Sequence, residues 1–305
     1  MNTQPDALHD SPLDSRRIAS AAAPAVRPLY WTIRRELWEN RSIYIAPLAV
    51  AGVILFAFSV SAILGIWESE LRIGLAHGSE AAVMPYDMAA GLMMLTSILV
   101  SVFYCLDALH GERRDRSILF WKSLPVSDLT TVLAKASIPL VVLPLVVCVI
   151  IVAVQWIMLL VSSAVLLVSG QSVTAFWAKL SFFRMALMTL YHLVTAHALW
   201  PFPVYCWLLL VSGWARRATF LWAALPLIAI AGVEQIVFHT WHFAQLVGSR
   251  LIGNTQAAGY MFPTGPMTHI TPGIFLTSPG LWVGFAVAAA FLAAAVRLRR
   301  YQGPV

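Results

Sequence analysis

Glu234, His239 and His242 come nearest to a reactive set in this chain. Two histidines three apart on a helix can bring their imidazoles together. Met261, Met267 and His269 follow in the next segment, donors of a type suited to Cu(I). The segment that would close such a site carries no constraint of spacing, so no metal site is expected; His239 and His242 are the weak candidates. A glutamate-dependent membrane hydrolase would need a second carboxylate at similar depth, and no other Asp or Glu falls inside a proposed span. H-E-x-x-H and G-x-S-x-G do not occur. The chain is therefore not expected to be an enzyme.

Ionisable or strongly polar residues inside apolar runs are costly, and each is a candidate for function. Glu234 is expected at an outer helix end, on a pathway, or paired with Arg184 or Arg250. His192 and His197 are about 140° apart around a helix and cannot share a narrow face, which favours packing or hydrogen bonding over a shared metal. Pro201 and Pro203 follow and are expected to kink or unwind that helix. Gln155 is suited to a hydrogen bond between helices. Glu234, Gln155 and His192 are the candidates for a pathway or its outer gate.

These residues need a scaffold, and composition decides its type. Of 305 residues, 60% are hydrophobic and 11% charged. Soluble domains carry about 25% charged residues, so a soluble monomer is excluded, as is disorder over the whole chain. The expected class is an all-α polytopic membrane protein. The net charge of +6 then poses a question of position relative to the membrane; no nucleic-acid partner is expected, and lipids are. Cys105, Cys148 and Cys206 lie in apolar runs with no C-x-x-C pair, so neither a disulfide framework nor a zinc site is read. No cleavable leader is read at the N-terminus.

A crossing takes about 20 apolar residues. Six runs qualify: about 43–67, 88–106, 138–164, 185–213, 218–238 and 273–296. The uncharged run 136–178 has 43 residues and is read as one tilted span followed by an outer segment around Gly170, with two spans as the alternative. With both termini cytoplasmic, sixteen of the twenty Lys and Arg fall on the inner side, which fits the positive-inside rule. Residues 1–29 read as a disordered tail. Tyr30–Arg41 reads as an amphipathic interfacial helix with aromatic anchors. Trp241–Pro279 has five Gly and four Pro, too irregular to face lipid.

The segment Asp107–Lys135 is the one sizeable inner loop. Its charged block, Glu112–Arg116, precedes an apolar Ile118–Trp121, a break at Leu124–Pro125, and Ser127, which can cap a second helix. Two short helices around a proline turn are expected, offering charge and apolar surface to a partner.

Glu112, Ser117, Leu124–Pro125–Val126–Ser127 and Lys135 together resemble the cytoplasmic loop of ABC type-2 permeases, the membrane subunits of ABC exporters. Arg116–Ser117 stands where the family pattern has Gly-Thr. The stretch Ile33–Leu48 is similar to the interfacial helix of bacterial members, and the six-span plan agrees. The resemblance implies a bacterial inner-membrane permease that pairs with a second copy or paralogue and moves a substrate using separate ATP-binding subunits. ATP and magnesium would sit on those subunits; this chain has no G-x-x-x-x-G-K-[ST] loop and would bind no cofactor. Loop 107–135 would couple the two, with Glu112, Arg113, Arg114, Arg116, Ser117, Pro125 and Lys135 as the coupling residues. Glu112 and the three arginines would contact the ATPase or the interfacial helix. A stand-alone channel or an anchoring subunit is the alternative.

Overall fold

The computed structural model describes residues 26–67, 83–123, 126–179, 181–252 and 272–301. All described elements are helical. Val26–Glu39 (α1) precedes Ser42–Ile63 (α2) and Met84–Asp107 (α3). Three short helices follow: His110–Arg114 (α4), Ser117–Ser123 (α5) and Asp128–Ser137 (α6). The Ser127 hydroxyl accepts from the Thr130 amide at 3.0 Å, the cap expected for α6. The turn at Leu124–Pro125 lies outside the described residues, so Pro125 has no described position.

Helix α6 runs without a break through a π-helical turn, Ile138–Val142, into Leu143–Val168 (α7). The whole rod has 41 residues, about 60 Å at 1.5 Å per residue. The apolar run thus holds one long helix, as the sequence reading had it, but a helix that begins ten residues earlier, at Asp128. It stops at Gly170, whose φ of +69° suits a residue without Cβ. Val173–Lys179 (α8) then folds back, with Trp177 Nε1 donating to Ser163 Oγ at 3.0 Å.

Phe182–His192 (α9) continues into a second π-helical stretch, Leu193–Leu199, and then, past Pro201, into Phe202–Trp214 (α10). The two parts meet at 45°. Proline has no amide to donate and crowds the preceding turn, so the break falls where Pro201 and Pro203 led one to expect it. Thr219–Phe238 (α11), His242–Ile252 (α12), Pro272–Thr277 (α13) and Pro279–Tyr301 (α14) complete the described elements. Among the described residues five helices are long and apolar enough to cross a membrane, or six if the bent pair counts as one crossing. The tail 1–25 and the irregular stretch 253–271 lie outside the described residues.

Helices α2, α3 and α7 pack on one another, and α10 packs along α14; α3 joins the two groups by packing on α10. The two π-helical turns touch each other. Away from the charged end, Ser162 knots the first group: Trp67 Nε1 donates to its hydroxyl at 3.0 Å, and Tyr86 bonds it at 2.8 Å.

Candidate functional site at the charged end of the bundle

One end of the bundle gathers three carboxylates and three cations from four helices. Glu36 lies on the inward face of α1, beside Thr32, and is fully buried (0% exposed). Its carboxylate accepts from Lys135 Nζ at 2.8 Å, from Tyr104 Oη at 2.8 Å and from Arg35 Nη2 at 3.0 Å. Glu112 of α4 is buried beside it and accepts from Arg35 Nη2 at 2.8 Å; Lys135 Nζ lies 3.2 Å away. Arg299 of α14 donates to Glu112 Oε2 and, through Nε, to Asp128 Oδ1 at 3.1 Å. Glu36, Glu112 and Asp128 thus face Arg35, Lys135 and Arg299, with the more exposed Glu39 also 3.3 Å from Arg35 Nε. Buried charges are tolerable when paired and hydrogen-bonded; each member here has an oppositely charged group within 3.1 Å, while Arg35 Nε donates no hydrogen bond among the described residues.

The same network fixes the loop helices. The Arg35 guanidinium stacks over Trp121 of α5, 3.7 Å from the ring centroid. Arg113 is buried and donates to Gly213 O at 2.6 Å and Ala215 O at 3.3 Å, carbonyls at the C-terminal end of α10. Those acceptors have no partner within their own helix. In return, Ser212 Oγ of α10 accepts from the Leu109 and His110 amides at 3.0 and 2.9 Å, where α4 begins. Helix ends of α4 and α10 therefore satisfy each other.

The expected coupling residues divide into two classes. Glu112, Arg113 and Lys135 are buried within this chain, so they hold the loop in place and present no surface to a partner. Of the two contacts expected for Glu112, the one to the interfacial helix is made, through Arg35. Ser117 Oγ reaches Glu112 O at 3.4 Å. Arg114 and Arg116 are exposed; Arg114 pairs with Asp115 at 3.1 Å, and Arg116 has a φ of +58°. Next to them α5 exposes Leu119 and Phe120, at 59% and 60%. Partial burial raises the Glu39 carboxyl above the usual carboxylate range, against the pull of Arg35.

Sequence reasoning missed Glu36, Arg35, Tyr104, Asp128 and Arg299. A signal was present for Glu36: it shares a helix face with Thr32, Ile33 and Leu37, which is where a buried carboxylate stands out.

The other candidates lie elsewhere. Glu234 bonds neither Arg184 nor Arg250. It caps the start of α12, accepting from the His242 and Phe243 amides and the Thr240 hydroxyl, each at 2.8 Å. A helix N-terminus offers unpaired amides to a carboxylate at no cost in bending the chain, which explains the preference. Arg250 instead stacks over Trp200, 4.3 Å from the ring centroid, and donates to Gly280 O at 2.6 Å. His239 and His242 are exposed, and no group of three or more metal-ligating side chains occurs among the described residues. His192 is buried, with Nδ1 2.8 Å from Met188 O, just before the π-helical stretch. Gln155 is buried in α7, and its Oε1 accepts no hydrogen bond among the described residues.

The chain matches no protein-family model, no curated protein and no solved structure.

Proposed function

We propose that the chain is the membrane-spanning permease subunit of an ATP-binding cassette exporter, sited in a bacterial inner membrane and driven by a separate ATPase chain. The observation that carries this reading is the mounting of α4–α6. Buried ion pairs fix these helices to α1 and α14, and Tyr104 of α3 bonds the same Glu36 of α1, while the outer face of α5 carries exposed Leu119 and Phe120 beside Arg114, Arg116 and Lys122. An apolar knob with a basic rim on a rigid base suits a cleft in a soluble partner.

Two further features support it. Helix α1 and the end of α14 meet at one ion-pair cluster, and chain segments on the same side of a membrane are joined by an even number of crossings. Counting the bent pair α9–α10 as one span gives six, with both ends on the inner, positively charged side. The 41-residue rod α6–α7 connects that end directly to the opposite one, and its π-helical turn meets the break in the bent span. Such turns mark sites where helices change geometry. Closure of the ATPases would bias two arrangements of the spans by differential affinity, in a dimer of this chain or with a paralogue.

The test is purification of the tagged chain from its native membranes, with a photo-cross-linker at Phe120. A stoichiometric partner bearing a phosphate-loop motif, cross-linked at that position, is the expected result. Recovery of the chain alone, with no cross-link to an ATPase, would overturn the proposal and favour a stand-alone channel or an anchoring subunit.

A further inference from the structure

Between α10, α11, α12 and α14 lies a cavity of about 410 Å³, within the size range of small-molecule sites. Its walls are aliphatic and aromatic, among them Trp207, Leu227, Phe243, Val247 and Val287, and its one charged lining residue is Arg250. The guanidinium of Arg250 bonds only neutral carbonyls, those of Gly280 at 2.6 Å and Trp200 at 3.3 Å, and stacks on the Trp200 ring. No ion pair to it occurs among the described residues. Opposite, Gly284 leaves it room: a Cβ there would stand 2.8 Å from Arg250 Nη1.

A half-buried cation with no counter-charge, at the wall of an apolar cavity, is matched by an anion that carries its own apolar body. The wall helix α11 is apolar and almost wholly uncovered, with Leu225, Ile228 and Val233 exposed; on a membrane-spanning helix those side chains meet acyl chains. We infer that this cavity is a binding site for an anionic membrane phospholipid, with one acyl chain between α10, α11, α12 and α14 and its phosphate on Arg250. A small free anion would leave the cavity empty, and a zwitterionic lipid would leave the guanidinium without net compensation. The site does not depend on the ATPase.

Native mass spectrometry of the purified full-length chain tests this, with dioleoyl phosphatidylglycerol and dioleoyl phosphatidylcholine added in turn. The chain is expected to retain one phosphatidylglycerol with about tenfold preference, the scale of one charge-assisted hydrogen bond. Arg250→Gln should abolish the preference and Arg250→Lys should keep part of it. Val247→Trp, which fills the cavity and leaves Arg250 intact, should weaken retention of both lipids; it reads the site even if Arg250→Gln does not fold. Equal retention of the two lipids, a preference that survives Arg250→Gln, displacement by inorganic phosphate, or a second copy of the chain covering Val247 would each overturn the assignment.

Discussion

The ammonium of Lys135 bonds the carboxylate of Glu36 at 2.8 Å across 99 residues of sequence, and both side chains are shut off from solvent. Neither charge has water to fall back on. Removing one therefore leaves the other buried with only its remaining partner, Arg35 for Glu36 and Glu112 for Lys135, and the loss exceeds what the pair itself contributed.

Lys135→Met is accordingly expected to cost about 3–5 kcal/mol, seen as a large drop in the thermal unfolding midpoint in detergent. Adding Glu36→Gln to it should cost much less than the sum of the two single changes. Additive losses in a double-mutant cycle would show that the two groups do not act as a pair.

Charge reversal should separate the arginines of α4 and its neighbour. Arg113→Glu removes the donor to the α10 carbonyls and puts a second acceptor among them; a loss of about 2–4 kcal/mol is expected, read from unfolding midpoints. The exposed pair, changed together as Arg114→Glu and Arg116→Glu, should leave the midpoint unchanged within error. On the proposed function, only this exposed pair reduces recovery of an ATPase partner from cells while folding is intact. An unchanged midpoint for Arg113→Glu would contradict the burial described above.

Glu234→Gln keeps the shape of the cap on α12 and removes its charge. The His242 and Phe243 amides should then exchange hydrogen roughly fivefold faster. Hydrogen-exchange mass spectrometry of the 239–246 peptide reads this directly. Unchanged exchange would mean that Glu234 is not holding the helix end.

Ala218, at the start of α11, has a φ of +49°, a region that a Cβ makes costly by about 1–2 kcal/mol. Ala218→Gly should raise the unfolding midpoint modestly, by a gain of at most about 1 kcal/mol once the greater freedom of the unfolded chain is counted. A fall in the midpoint would show that the methyl group matters more than the backbone.

The sequence reading succeeded where the cause is local. The cap at Ser127 needs only a hydroxyl and an amide three residues on. The stop at Gly170 and the break at Pro201 follow from what those residues permit in a backbone. Hydrophobic runs fall on α2, α3, α7, α11 and α14, because length and apolarity alone define a helix fit to cross lipid, but the ends of α14 differ by five or six residues and the rod of α7 begins ten residues before the expected span. What failed was long-range. Arg113 sits in a block of charges and reads as surface; its burial depends on carbonyls at the end of α10, a hundred residues later. Arg299 reads as an inner-side anchor, but it closes a cluster whose other members come from three other helices. For Glu234 the sequence offered a helix end, a pathway or an arginine partner, whereas the free amides of α12, a few residues away, were the nearer claim.

The ion cluster also implies an order of assembly. Arg35, Glu36, Glu112, Asp128 and Lys135 all precede α14 in the chain, and Arg299 of α14 pairs with Glu112 and Asp128. As the ribosome delivers the chain from its N-terminus, Asp128 and one oxygen of Glu112 wait for that guanidinium until α14 emerges. The nascent protein can insert its earlier helices, but this pairing closes only with the last described one.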